Sequence, residues 1–159
     1  MSEQRSIEKE HATPDRVLAT RLGLLGLIPF VVLSLWLAGI PADHVWRETT
    51  IRLLTGYAAV VLSFLGGARW ALAVAGDYAD ARRDIAISIL PALIGWVVMF
   101  IPPHLAFVLL AVAFAAQGAW DSLSGQAGVL PAWFARLRVQ LTAAAVIAMI
   151  IAFAATAVG

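Results

Sequence analysis

Five apolar segments, each near the length that crosses a lipid bilayer, constrain this chain more than any other feature. They run over roughly 22–39, 51–75, 85–101, 105–120 and 132–157. A spanning helix takes about 20 residues, within a range of about 17–25, so the second and fifth segments are generous and the fourth is short. In hydrocarbon no water is available to the backbone, so each N–H and C=O must be satisfied inside the segment, which makes these runs helices. Composition agrees, with 62% hydrophobic residues, 13% charged residues and a mean hydropathy of +0.88. The expected fold class is all-α, a polytopic bundle of five transmembrane helices.

Residues 1–19 are polar, mixed in charge and interrupted by Pro14. They read as a flexible tail, since they cannot bury enough apolar area to order themselves. They do not read as a signal peptide, because the apolar stretch that follows is too long for one. Residues 20–159 then form a single membrane domain. The third and fourth segments are joined only by PPH at 102–104, which predicts a tight antiparallel hairpin. Pro131 opens the last segment, with Trp133 and Phe134 as interfacial anchors; Trp36, Trp46, Trp70 and Trp120 also lie towards segment ends. With five spans, one side of the membrane holds Arg5, Lys9, Arg16, Arg21, Arg82, Arg83, Arg136 and Arg138, against Arg47 and Arg52 on the other. That bias places the N-terminus in the cytoplasm and the C-terminus outside. A net charge of +1 gives no argument for nucleic acid, and zero cysteines exclude disulfides and thiolate chemistry.

Polar residues inside the spans mark the candidate site. Arg69 sits in the stretch SFLGGARWALA, about 9 Å inside its helix end, where an unpaired charge is costly. Gln117 and Asp121, four apart, share a face of the fourth segment at a similar depth. Asp121 is the expected partner of Arg69, with Asp77 and Asp80 as rivals. Gln117 or the carbonyls of Leu25 and Ile87 are expected to take the remaining donors. Those carbonyls are freed by Pro29 and Pro91, each of which is expected to kink its helix. On the second segment Gly56, Ala59, Ser63, Gly66, Gly67 and Trp70 form a predicted packing seam, because small residues let backbones approach. Val61, Leu65 and Leu72 are expected to face away from it. His44 and His104, with Asp43 and Glu48, lack recognisable ligand spacing, so no metal or other cofactor is expected. LGLIPFVVLSLW (25–36) and SILPALIGW (88–96) echo each other, each with a tryptophan after a proline.

The segments LGLLGLIPF (22–30), YAAVVLSFLGGARWALA (57–73), ILPALIGW (89–96) and LPAWFARLRVQLT (130–142) resemble the domain of unknown function 3429 family, to which transmembrane protein 69 belongs. The resemblance implies a small multi-pass protein of bacterial inner membranes or of mitochondria. It implies no activity and therefore no catalytic residues. Ala71 departs from the family pattern, where a glycine is expected after the tryptophan. The sequence shows no nucleophile, phosphate loop or catalytic triad. The expected function is thus a non-catalytic subunit, assembly or interaction protein, its partners being the lipid bilayer and a membrane protein or a second copy. The alternative is a transporter or channel with a polar vestibule around Arg69, Gln117 and Asp121.

Overall fold

The computed structural model describes residues 16–76, 80–128 and 130–157, and regular structure there is entirely helical. Helix α1 covers Arg16–Gly39, with a turn at Gly26 and Leu27 before its second part, Ile28–Gly39. Then come α2 (Arg47–Ala75), α3 (Ala81–Ile87), α4 (Leu90–Val97), α5 (Pro103–Gln126) and α6 (Ala132–Ala157). Among the described residues, α1, α2, α5 and α6 are long and apolar enough to cross a membrane. The third apolar segment is instead two short helices, parted by a turn at Ser88 and Ile89 and followed by a turn at 98–100.

Both prolines act as helix starters. Pro29 and Pro91 each occupy the first turn of the helix that follows a two-residue turn, where a missing N–H costs nothing. The two echoing sequences therefore share a local geometry of turn, proline and helix. At the first break the Tyr57 hydroxyl donates to the Gly26 carbonyl oxygen at 2.7 Å. At the second, Ser88 Oγ donates to the Ile85 carbonyl at 2.7 Å.

Several helices outrun their apolar segments. Residues 16–19, expected in the flexible tail, are helical, and the Arg16 guanidinium lies over the Trp133 ring at 5.4 Å. Helix α2 starts at Arg47, and α5 continues to Gln126, which puts Asp121 well inside a helix rather than at its edge. Polar residues extend a helix readily at a membrane surface, where hydropathy no longer marks its end.

Contacts define two ends of the bundle. At the proximal end α1 and α6 begin while α2 and α5 finish; Arg16 meets Trp133 there, and Gly125 lies against Ala135. At the distal end Arg47 donates to the Ala155 carbonyl at 2.5 Å and to the Ile40 carbonyl at 3.2 Å, tying three helices together. Helices α5 and α6 form the most extensive pair. The α3–α4 segment runs antiparallel along α2, with Ser88 and Pro91 beside Gly66 and Gly95 beside Ala59 and Ser63. Phe30, Leu54, Leu62, Phe107, Phe114 and Met149 are fully buried between these elements.

The packing seam on α2 is narrower than its small residues suggest. Ala59 and Gly66 are buried and Ser63 is half-buried against α4. Gly67 and Trp70 are exposed, and Gly56 and Gly67 face open space. The buried arc passes through Leu62, Gly66, Arg69 and Ala73, so Gly67 falls on the opposite shoulder beside Phe64 and Val74. Leu65, Val61 and Leu72, expected to face away, are half-buried, and the first two pack against the core. A Cβ on Gly66 would lie 2.6 Å from the Ser88 carbonyl oxygen, which is backbone and cannot swing aside. Gly66→Ala should therefore cost about 1–3 kcal/mol as overpacking. Gly67→Ala should be neutral or stabilising by up to about 1 kcal/mol through helix propensity. Thermal unfolding of both variants in mild detergent measures the difference, and equal midpoints would contradict this placement.

Candidate functional site

Three charged side chains from three helices converge near the proximal end. Asp121 on α5 is fully buried, with Arg69 of α2 and Arg138 of α6 almost equally so. Arg138 Nε donates to Asp121 Oδ2 at 2.7 Å, a short charge-assisted hydrogen bond. Arg69 Nε stands 3.7 Å from Asp121 Oδ1, an ion pair beyond hydrogen-bond distance. Arg69 Nη2 donates to Ser124 Oγ at 2.5 Å. Its guanidinium also lies 4.2 Å from the centre of the Trp120 ring, within cation–π range. Arg138 in turn lies 5.7 Å from the Phe134 ring.

Helix periodicity explains the assembly. Gln117, Asp121 and Ser124 share the buried face of α5, since residues three and four apart stack on a helix. That face approaches α6 closely. A Cβ on Gly118 would lie 2.5 Å from Thr142 Oγ1, and one on Gly125 would lie 2.6 Å from the Ala135 Cβ. Those two glycines bracket Asp121, so they set how near α6 can bring Arg138.

The structure brings together the expected Arg69 and Asp121, but as one limb of a triad. Arg138, which the charge bias alone counts among the basic residues of one membrane side, is the closer partner of Asp121. Its position held the signal, for it enters α6 about as deeply as Arg69 precedes the end of α2. Ser124, not Gln117 or a freed carbonyl, is the described hydrogen-bond acceptor of Arg69. Gln117 is buried on the same face, and its Nε2 has no partner among the described residues. Asp80 is exposed just before α3, and Asp77 lies outside the described residues. The vestibule expected around Arg69, Gln117 and Asp121 is not an opening, because all three are at most 3% exposed.

His44 is engaged locally. Its Nδ1 accepts the Trp46 N–H at 3.2 Å and its ring stands edge-on to Trp36. Among the described residues, no group of three His, Asp or Glu side chains is placed to hold a metal ion.

A helical bundle with several membrane-length helices and a buried ion triad defines a multi-pass integral membrane protein. The chain belongs to the family described as protein of unknown function (DUF3429), which matches residues 16–154. It is 31% identical over 135 residues to transmembrane protein 69 of Xenopus tropicalis, an alignment covering 83% of this chain and 52% of the relative. The chain thus spans about half the length of that relative. No solved structure matches it.

Removing one member of a buried ion cluster strands the others, at about 3–5 kcal/mol. Asp121→Ala should therefore destabilise more than either arginine substitution, because it takes a counter-ion from two cations at once. Adding Arg138→Ala to Asp121→Ala should recover more stability than adding Arg69→Ala, since Arg138 makes the 2.7 Å contact and Arg69 the 3.7 Å one. Unfolding midpoints of the single and double variants in detergent test the order; equal recovery from both pairs would assign the arginines equal weight.

Proposed function

We propose that this protein is a non-catalytic subunit or assembly factor that packs against another protein in a bacterial inner membrane. The observation that carries the reading is the use of its charged groups: Arg69, Asp121 and Arg138 are turned on one another, joining α2, α5 and α6. Charge spent this way rigidifies a scaffold. The exposed shoulder of α2 supports the same view. Gly67 and Ala71 lie there between Phe64 and Val74, a small-residue notch flanked by larger side chains. Lipid tails offer helices no hydrophobic reason to associate, so notches of this kind promote close packing with a neighbouring helix. Affinity purification in mild detergent, followed by mass spectrometry, should recover a stoichiometric membrane partner or a homo-oligomer. Gly67→Leu should release it without lowering the unfolding midpoint. A monomeric protein recovered alone would overturn the proposal.

The proposed topology is five crossings, with the N-terminus in the cytoplasm and the C-terminus outside. Its support is the return of α3–α4 along α2, together with the excess of arginine on the proximal side. A reporter active only in the cytoplasm should work when fused to the N-terminus and fail at the C-terminus. Activity at both ends would require an even number of crossings.

A further inference from the structure

Between α1, α2 and α6, a cleft of about 440 Å³ opens on the side of the bundle. Its size falls within the range of about 300–1,000 Å³ typical of small-molecule sites. Leu22 and Phe64, more than half exposed, flank the opening, while Phe30 and Phe114, fully buried, form the floor. These exposed apolar flanks lie on helices of membrane-spanning length, so the opening gives onto lipid. Nearly all of the lining is carbon, and Tyr57, Thr142 and Arg138 are the polar residues in it.

The hydrogen bonds of those three residues specify the occupant. The Tyr57 hydroxyl donates its one hydrogen bond to the Gly26 carbonyl oxygen. Thr142 Oγ1 lies 2.9 Å from the Arg138 carbonyl, to which it donates. Arg138 uses Nε on Asp121, yet its Nη2 is buried and has no acceptor among the described residues. A guanidinium with a spare donor beside an apolar cleft calls for an oxygen acceptor, and an anionic one gains most. The proximal mouth adds to the positive field, for Arg16 stacks on Trp133 there and Arg21 is exposed one turn along α1.

We infer that the cleft binds an acidic phospholipid, with one acyl chain laid between α1 and α2 and the phosphate drawn to Arg138 at the proximal end. Chain and head are recognised separately. The carbon lining accepts any acyl chain, while the guanidinium selects for negative charge.

Thermal unfolding of the delipidated protein in detergent tests this, with dioleoylphosphatidylglycerol, dioleoylphosphatidylcholine and oleate added in parallel. Phosphatidylglycerol should raise the midpoint by several degrees and well beyond phosphatidylcholine. An equal rise with phosphatidylcholine would leave only chain occupancy and overturn the selection for charge. A rise with oleate but none with phosphatidylglycerol would overturn the choice of phospholipid. Ala68→Phe, which fills the cleft and replaces no member of the ion triad, should abolish the phosphatidylglycerol increment relative to its own lipid-free midpoint. Val74→Phe, on the exposed shoulder outside the cleft, should retain it. A wild-type increment in Ala68→Phe would overturn the site. Arg138→Gln should erase the difference between the two phospholipids; should that variant fail to fold, Ala68→Phe decides.

Discussion

A carboxylate shut away from solvent has to be matched from within, and Asp121 is matched by two arginines on two other helices. Bringing a charge into hydrocarbon costs several kcal/mol at least, so the matching partners are a condition of folding rather than an addition to it. The rest of the bundle is arranged around that condition. Gly118 and Gly125 bring α6 near enough for Arg138, and Ser124 and Trp120 hold Arg69 from the other side. Such a cluster contributes less to net stability than an apolar core of the same volume would. It contributes uniqueness of arrangement, because a rotation of any one helix would leave an unmatched charge.

Hydropathy made the helices legible, and the spacing of Gln117 and Asp121 made half of the site legible. The missing half shows where such reading fails. Arg138 stands in a basic run, WFARLRVQ, beside Arg136, and a charge near a membrane surface is ordinarily a solvated one. Only the face of α6 separates the two: Arg138 is 4% exposed, while Arg136 bonds back to its own helix at the surface. Two positions apart on a helix means nearly opposite faces, and an apolar helix with little amphipathic bias does not announce which one is inward. The same ambiguity broadened the seam on α2. Gly66 and Gly67 are equal in composition, and only the position of Ser88 and Pro91 distinguishes them.

The prolines show the reverse case, where local chemistry decides without tertiary help. Pro29 and Pro91 were legible as interruptions, yet each begins a helix rather than bending one. The backbone before each makes a tight turn, and the turn supplies something a continuous helix could not. At Gly26 it offers a carbonyl to Tyr57, and at Ser88 it brings the backbone within reach of Gly66.

The order of the triad along the chain bears on how the protein enters a membrane during synthesis. Arg69 emerges 55 residues ahead of Ser124, so its helix is complete before any of its α5 partners exist. Asp121 and Arg138 are 17 residues apart and neutralise each other across one hairpin. The hairpin can therefore leave the insertion machinery as a unit that has already balanced its own charge. Arg69 gains its contacts to Asp121, Ser124 and Trp120 only when α5 arrives. Late docking of α5–α6 onto α2 would then be the step that completes the triad and closes the bundle.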